Sequence, residues 1–146
     1  MAAPLWRCEA CGRTFANRNQ THFCGSITGL DAHFGRRPAH VRALFDAFCD
    51  AVRASGPVEI LAEKTRIAFH VRMSFIAITP RNDALVGHFI FARRVEHPRF
   101  TKVETYSPRN HLHAFRLRSV EEIDDEFRAW IAEAYAVGQQ KHLGAH

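Results

Sequence analysis

Four zinc-type ligands fall within the first 24 residues: Cys8 and Cys11, followed directly by Gly12, and then His22 and Cys24. Two cysteines separated by two residues can aim both thiolates at one point, and Gly12 permits the tight backbone turn of such a knuckle. In an extended segment residues i and i+2 share a side, so His22 and Cys24 face one ion from a short strand. Three thiolates and one imidazole complete a tetrahedron and leave no position for water or substrate, which is how structural rather than catalytic zinc is held. The expectation is therefore a structural Zn2+ on Cys8, Cys11, His22 and Cys24. Trp6, Phe15 and Phe23 surround the ligands, and a segment this short cannot bury enough apolar surface to stand without a metal or a staple. A disulfide and a redox Cys-x2-Cys pair are the competing readings, and neither gives His22 or Cys24 a role.

The opening Cys8-x2-Cys11-x3-Phe15 resembles that of a two-cysteine, two-histidine zinc finger. The second half departs from that pattern. Ten residues separate Cys11 from His22, and a His-x-Cys pair stands in place of two histidines spaced along a helix. A helix that reads a nucleic-acid groove is not expected from this segment.

A second group of residues with chemistry lies in the middle of the chain. The formal net charge is +5, but residues 57–118 hold eleven Lys/Arg against five Asp/Glu, whereas residues 119–138 hold one against six. An anionic partner would meet the middle, not the acidic end. Arg66, His70 and Arg72 alternate with Ile67, Phe69 and Val71 and so share one side of a strand, as Arg116 and Arg118 do on a later one. With Lys64, or with His88 from a neighbouring strand, they would form a cationic surface able to bind phosphates. The bland reading is a solvated strand face whose arginines pair with Glu59, Glu63 or Glu104. Stacking aromatics, which binders of single strands need, are not evident on that side.

His111 and His113, two apart, could set imidazoles side by side for a metal or for proton transfer. They share parity with Phe115 and Leu117, which favours core packing, and no paired carboxylates complete a metal site. Cys49 falls on an apolar helical stripe, as a buried small hydrophobe does. Nucleophile motifs, phosphate loops and paired carboxylates are absent from the rest of the chain, so the sequence weighs against an enzyme.

These residues need a scaffold, and 146 residues supply one sizeable core plus a zinc appendage in one compact unit. Residues 1–36 read as the zinc knuckle and a glycine-punctuated linker with a helical turn at Leu30–Phe34; residues 37–146 read as an α+β domain. Pro38 suits the first turn of a helix whose Val41, Leu44, Phe45, Phe48, Cys49 and Val52 recur at helical spacing until Gly56-Pro57. From Val58 the period changes to two, with strand-like runs at Val58–Ile60, Ile67–Arg72, Ser74–Thr79, Leu85–Arg94, Phe100–Tyr106 and His111–Arg118. Links this short cannot make parallel crossovers, so an antiparallel meander of about six strands is expected. Ser119-x-x-Glu122 is a capping box, and Ile123, Phe127, Trp130, Ile131 and Ala134 follow on one face of a second helix. Both amphipathic helices should pack on one sheet face and leave the other at least partly open.

No apolar run approaches the length of a membrane span, and Met1-Ala-Ala-Pro-Leu-Trp6 lacks the basic and long apolar regions of a signal peptide. A cytoplasmic location without membrane contact is the expectation, consistent with thiols used for metal.

Several strings are specific: Trp6-x-Cys8-x2-Cys11-Gly12-Arg13-x-Phe15 with His22-x-Cys24, Gly56-Pro57-Val58, Lys64-Thr65-x-Ile67-Ala68-Phe69, Ser107-Pro-Arg-Asn-His111, and Trp130-x3-Ala134-Tyr135. Over nearly its whole length the chain resembles an uncharacterised bacterial family, domain of unknown function 5655. The resemblance implies a shared architecture and carries no activity. The functional expectation is a zinc-stabilised module that engages nucleic acid or another polyanion through its basic sheet face. The alternatives are a small enzyme acting on an anionic small molecule and an accessory domain that docks a protein partner.

Overall fold

The computed structural model describes residues 5–7, 14–15, 31–35 and 37–140. Two short strands, β1 (Trp6–Arg7) and β2 (Thr14–Phe15), pair antiparallel, with Arg7 opposite Thr14. Cys8, Cys11, His22 and Cys24 lie outside the described residues.

The first helical turn, α1 (Asp31–Phe34), is docked rather than free. Phe34 is buried with its ring centroid 5.0 Å from that of Phe45. His33 Nε2 donates to the Glu63 carbonyl over 2.8 Å, and Arg37 Nε to the Pro80 carbonyl over 2.9 Å. Helix α2 (Ala39–Arg53) begins directly after Pro38, whose missing N–H costs nothing at a helix start, and buries Val41, Leu44, Phe45, Phe48, Cys49 and Val52 along one stripe.

Six strands follow: β3 (Glu59–Ala62), β4 (Ile67–His70), β5 (Ser74–Pro80), β6 (Leu85–Phe91), β7 (Lys102–Ser107) and β8 (Asn110–Leu117). All neighbours are antiparallel. The α+β architecture expected from the sequence is the one found. The order is β3-β4-β5-β6-β8-β7, however, so the meander holds only through β6. The link from β6 to β7, residues 92–101, is long enough to pass the neighbouring slot and set β7 at the edge. The tight Ser107–Asn110 hairpin then returns β8 between them.

Ser119 and Glu122 frame only a 3-10 turn, Val120–Glu122. The last helix, α3 (Asp125–Gly138), starts later than the sequence pattern suggests, because Asp124 is its cap and accepts from the Phe127 N–H over 2.9 Å.

Both helices cover one face of the sheet. Phe48 of α2 packs on Phe69 and Phe115, and Phe127 of α3 on Phe89 and Phe115, with ring centroids 5.1 to 6.1 Å apart. Register gives this inner face a row of Phe69, Ile76, Phe89, His113 and Val103. Most of the alternating residues face the other way, the side that no described helix covers, whereas Phe75, the extra residue where the β4–β5 register shifts, packs on Tyr135 of α3.

Candidate functional site

One row crosses five strands on the uncovered face: Ala68, Ala77, His88, Ala114 and Lys102, each opposite the next. Ala77 and Ala114 on either side of one imidazole leave space where larger side chains would fill it. The next row, Thr79, Val86 and Arg116, continues the surface. A depression of about 450 Å³ results, lined by Arg66, Ala77, Thr79, His88, Ala114 and Arg116. A second, of about 400 Å³, shares Arg66, Ala77 and His88 and extends to Ser74, Tyr106 and Asn110. The two form one groove with His88 at its centre. Ile90 and Leu112, on the same side by alternation, cluster with Val137 and Met73.

The electrostatics of the groove centre on a neutral imidazole. Burial, reinforced by the Arg66 guanidinium, lowers the His88 pKa to about 4. His88 hydrogen-bonds no other described residue. Arg66 Nε pairs with Glu63 at 2.9 Å, and Arg116 lies 3.8 Å from Asp83. On the edge strand, Lys102 pairs with Glu104 and holds that carboxyl below its usual range. Tyr106 is 62% exposed at the groove margin.

The residues singled out as anion binders divide on this frame. Arg66 and Arg116 come together on the groove, and Lys64 is exposed on the β3–β4 turn, outside the residues that line it. His70 is buried, with Nδ1 3.3 Å from the Ser74 hydroxyl, so it is no surface contact. Arg72 leaves the strand alternation at the β4–β5 turn, where its Nε donates to Gln140 over 3.0 Å and its backbone N–H to the Gly138 carbonyl. Arg118 lies just past the end of β8, exposed, its backbone N–H bound by the Glu122 carboxylate. Tyr106 escaped the sequence reading, although its alternation with Lys102 and Glu104 was the available signal.

His111 and His113 both face inward. Nε2 of His111 donates to the Pro108 carbonyl, and its Nδ1 accepts from the Thr105 hydroxyl. His113 is fully buried, and burial lowers its pKa. With both ring nitrogens of each committed within the protein, neither is available to a metal or to proton transfer. Cys49, whose thiol burial pushes up to about 12, is equally inert.

Among the described residues, no cluster of metal-ligating side chains occurs, and no helix is long and apolar enough to cross a membrane. No curated protein and no solved structure matches the chain significantly. The family described as Domain of unknown function (DUF5655) matches residues 30–138, from the docked turn through the last helix, and the chain belongs to that family.

Proposed function

We propose that the protein is a binding module that engages nucleic acid or another polyanion through its uncovered sheet face, with a structural zinc on Cys8, Cys11, His22 and Cys24 ordering the N-terminal segment. The observation that carries the first half is the groove, where Arg66 and Arg116 flank a floor of alanines. The ion pairs of these arginines with Glu63 and Asp83 are partly exposed. Such pairs contribute only about 0–1 kcal/mol, so a phosphate can take the place of either carboxylate at little cost. The acidic first turn of α3 leads into Phe127, which packs on Phe89 of the opposite face, and only the C-terminal Val137 clusters with Ile90 and Leu112. For the zinc, the support is the closed set of ligands together with the β1–β2 pairing, which flanks Cys8 and Cys11 in the chain.

Titration of labelled oligonucleotides at two salt concentrations tests the face. Binding should weaken steeply as salt rises, because phosphate contacts release condensed counterions. The Arg66→Ala/Arg116→Ala double variant should bind more weakly and with a flatter salt dependence. Equal binding by variant and parent, or none by the parent at low salt, ends this reading. A small enzyme acting on an anionic molecule is the second reading, favoured by the half-buried neutral His88 beside Arg66.

A further inference from the structure

A polyanion site needs only cations, and the groove holds more than cations. Its margin carries Tyr106, an aromatic ring 62% exposed on the edge strand, where a core residue would be covered. Its floor is cut down to Ala77 and Ala114, the two residues opposite His88, which frees the space beside that ring. A neutral imidazole offers one N–H donor and one acceptor nitrogen, the complement of the mixed donor and acceptor edge of a nucleobase. That ring has no hydrogen bond to another described residue to give up.

Each of these features suits a base that is not paired. An exposed tyrosine stacks on the flat face of a base, which a duplex buries between its neighbours. His88 lines the groove, and a base already engaged in Watson–Crick pairing has no free pairing edge to offer it. Arg116 borders only the first depression and Tyr106 only the second, while Arg66 and His88 line both. A phosphate at Arg116 and a base at Tyr106 therefore have separate places along one groove, with Arg66 between them.

We infer that the uncovered face takes single-stranded nucleic acid, with an unpaired base stacked on Tyr106 and its hydrogen-bonding edge turned to His88, while Arg66 and Arg116 hold flanking phosphates. This rests on the polyanion reading and narrows it to one form of ligand.

The test uses the full chain, fluorescein-labelled oligothymidylate and a labelled duplex of equal length, followed by anisotropy at low and moderate salt. The single strand should bind at least about tenfold more tightly than the duplex. Tyr106→Ala should cost about tenfold on the single strand, the scale of one lost stacking contact. It should leave the salt slope and the duplex affinity unchanged, and Tyr106→Phe should restore binding. The side chain is exposed, so these variants test contact rather than folding. Equal affinity for both forms, or no effect of Tyr106→Ala, overturns the single-strand inference. If Arg66→Ala/Arg116→Ala still weakens binding in that case, the broader polyanion reading stands. No binding of either probe by the parent removes both.

Discussion

The backbone N–H of Val95 donates to Nε2 of His113 over 2.8 Å, and the same ring donates from Nδ1 to the His111 carbonyl over 2.9 Å. Val95 belongs to the link between β6 and β7, and His113 to the strand inserted between them. A fully buried imidazole thus fastens the crossing segment to the strand that it crosses. The ring also packs on Phe91 and Phe100, with centroids 4.5 and 5.0 Å away, so its apolar faces are used as fully as its nitrogens.

Replacing His113 by leucine should be strongly destabilising. The side chain keeps apolar volume but leaves the part-buried Val95 N–H without its acceptor and the His111 carbonyl without its donor, a loss of about 1–3 kcal/mol before any repacking. Urea unfolding followed by fluorescence measures it. A change under about 0.5 kcal/mol, the range of an ordinary surface substitution, would show that the link is held by other contacts.

Stability should fall as pH is lowered. His88 has a folded pKa of about 4, below the ordinary 6.5, and His113 is also shifted down, in both cases chiefly by burial. The unfolded chain therefore takes up protons first, and stability present above pH 6.5 is lost progressively as pH falls towards 4. For His88 the full loss is about 3 kcal/mol at most, and less in practice because the ring is only partly buried. Unfolding midpoints measured between pH 7 and 4 check this. His88→Gln, which does not titrate, should flatten the profile, and an unchanged slope would contradict the assigned burial.

A third prediction concerns the end of α2. Gly56 adopts φ +143°, a conformation open to glycine, and a Cβ there would press on the Tyr135 hydroxyl. That hydroxyl donates to the Pro57 carbonyl over 2.7 Å, tying α3 to the turn after α2. Tyr135→Phe should cost about 1 kcal/mol, the net value of one hydrogen bond. Gly56→Ala should cost more, since it adds backbone strain to the same displacement. Thermal melts of the two variants should keep this order.

Much of this scaffold was legible because burial imposes periodicity. The stripe from Val41 to Val52 and the alternation around Phe69 and Phe89 follow from one-sided contact with the core, and so does the inward aim of His113. Strand order was not legible. Nothing local in residues 92–101 distinguishes a link to the adjacent slot from one that skips it, and the Val95–His113 bond exists only once β8 has returned. The same limit applied to the site. Arg66 and Arg116 were visible as cations, but their meeting on one groove depends on registers across four strands. Arg72 was misplaced because the irregularity between Phe69 and His70 breaks the alternation from which its side was read. Ser119 carried a valid cap pattern, yet Asp124 caps the helix, since the motif alone does not say whether a full helix or a single turn follows.

The fourth prediction is one tightly bound zinc per chain. Cys8, Cys11, His22 and Cys24 form a set with no ligand left over, and Cys49 cannot substitute for any of them because its thiol is buried in the core and pushed up to about 12. Protein purified without added metal should contain about one equivalent of zinc by elemental analysis, as a closed site of three thiolates and an imidazole requires. Cys24→Ser should lose the metal and loosen the N-terminal segment, because metal binding there supplies folding free energy. The sheet and helices should survive, since residues from Phe34 to Tyr135 form an extensive aromatic core of their own. Hydrogen exchange separates the two regions: protection should drop before residue 30 and persist through β4, β5 and β6. A metal-free, fully folded product carrying a Cys8–Cys11 disulfide under reducing conditions would sink the zinc assignment. Collapse of the sheet in Cys24→Ser would instead show that the N-terminal segment is part of the core's own stability.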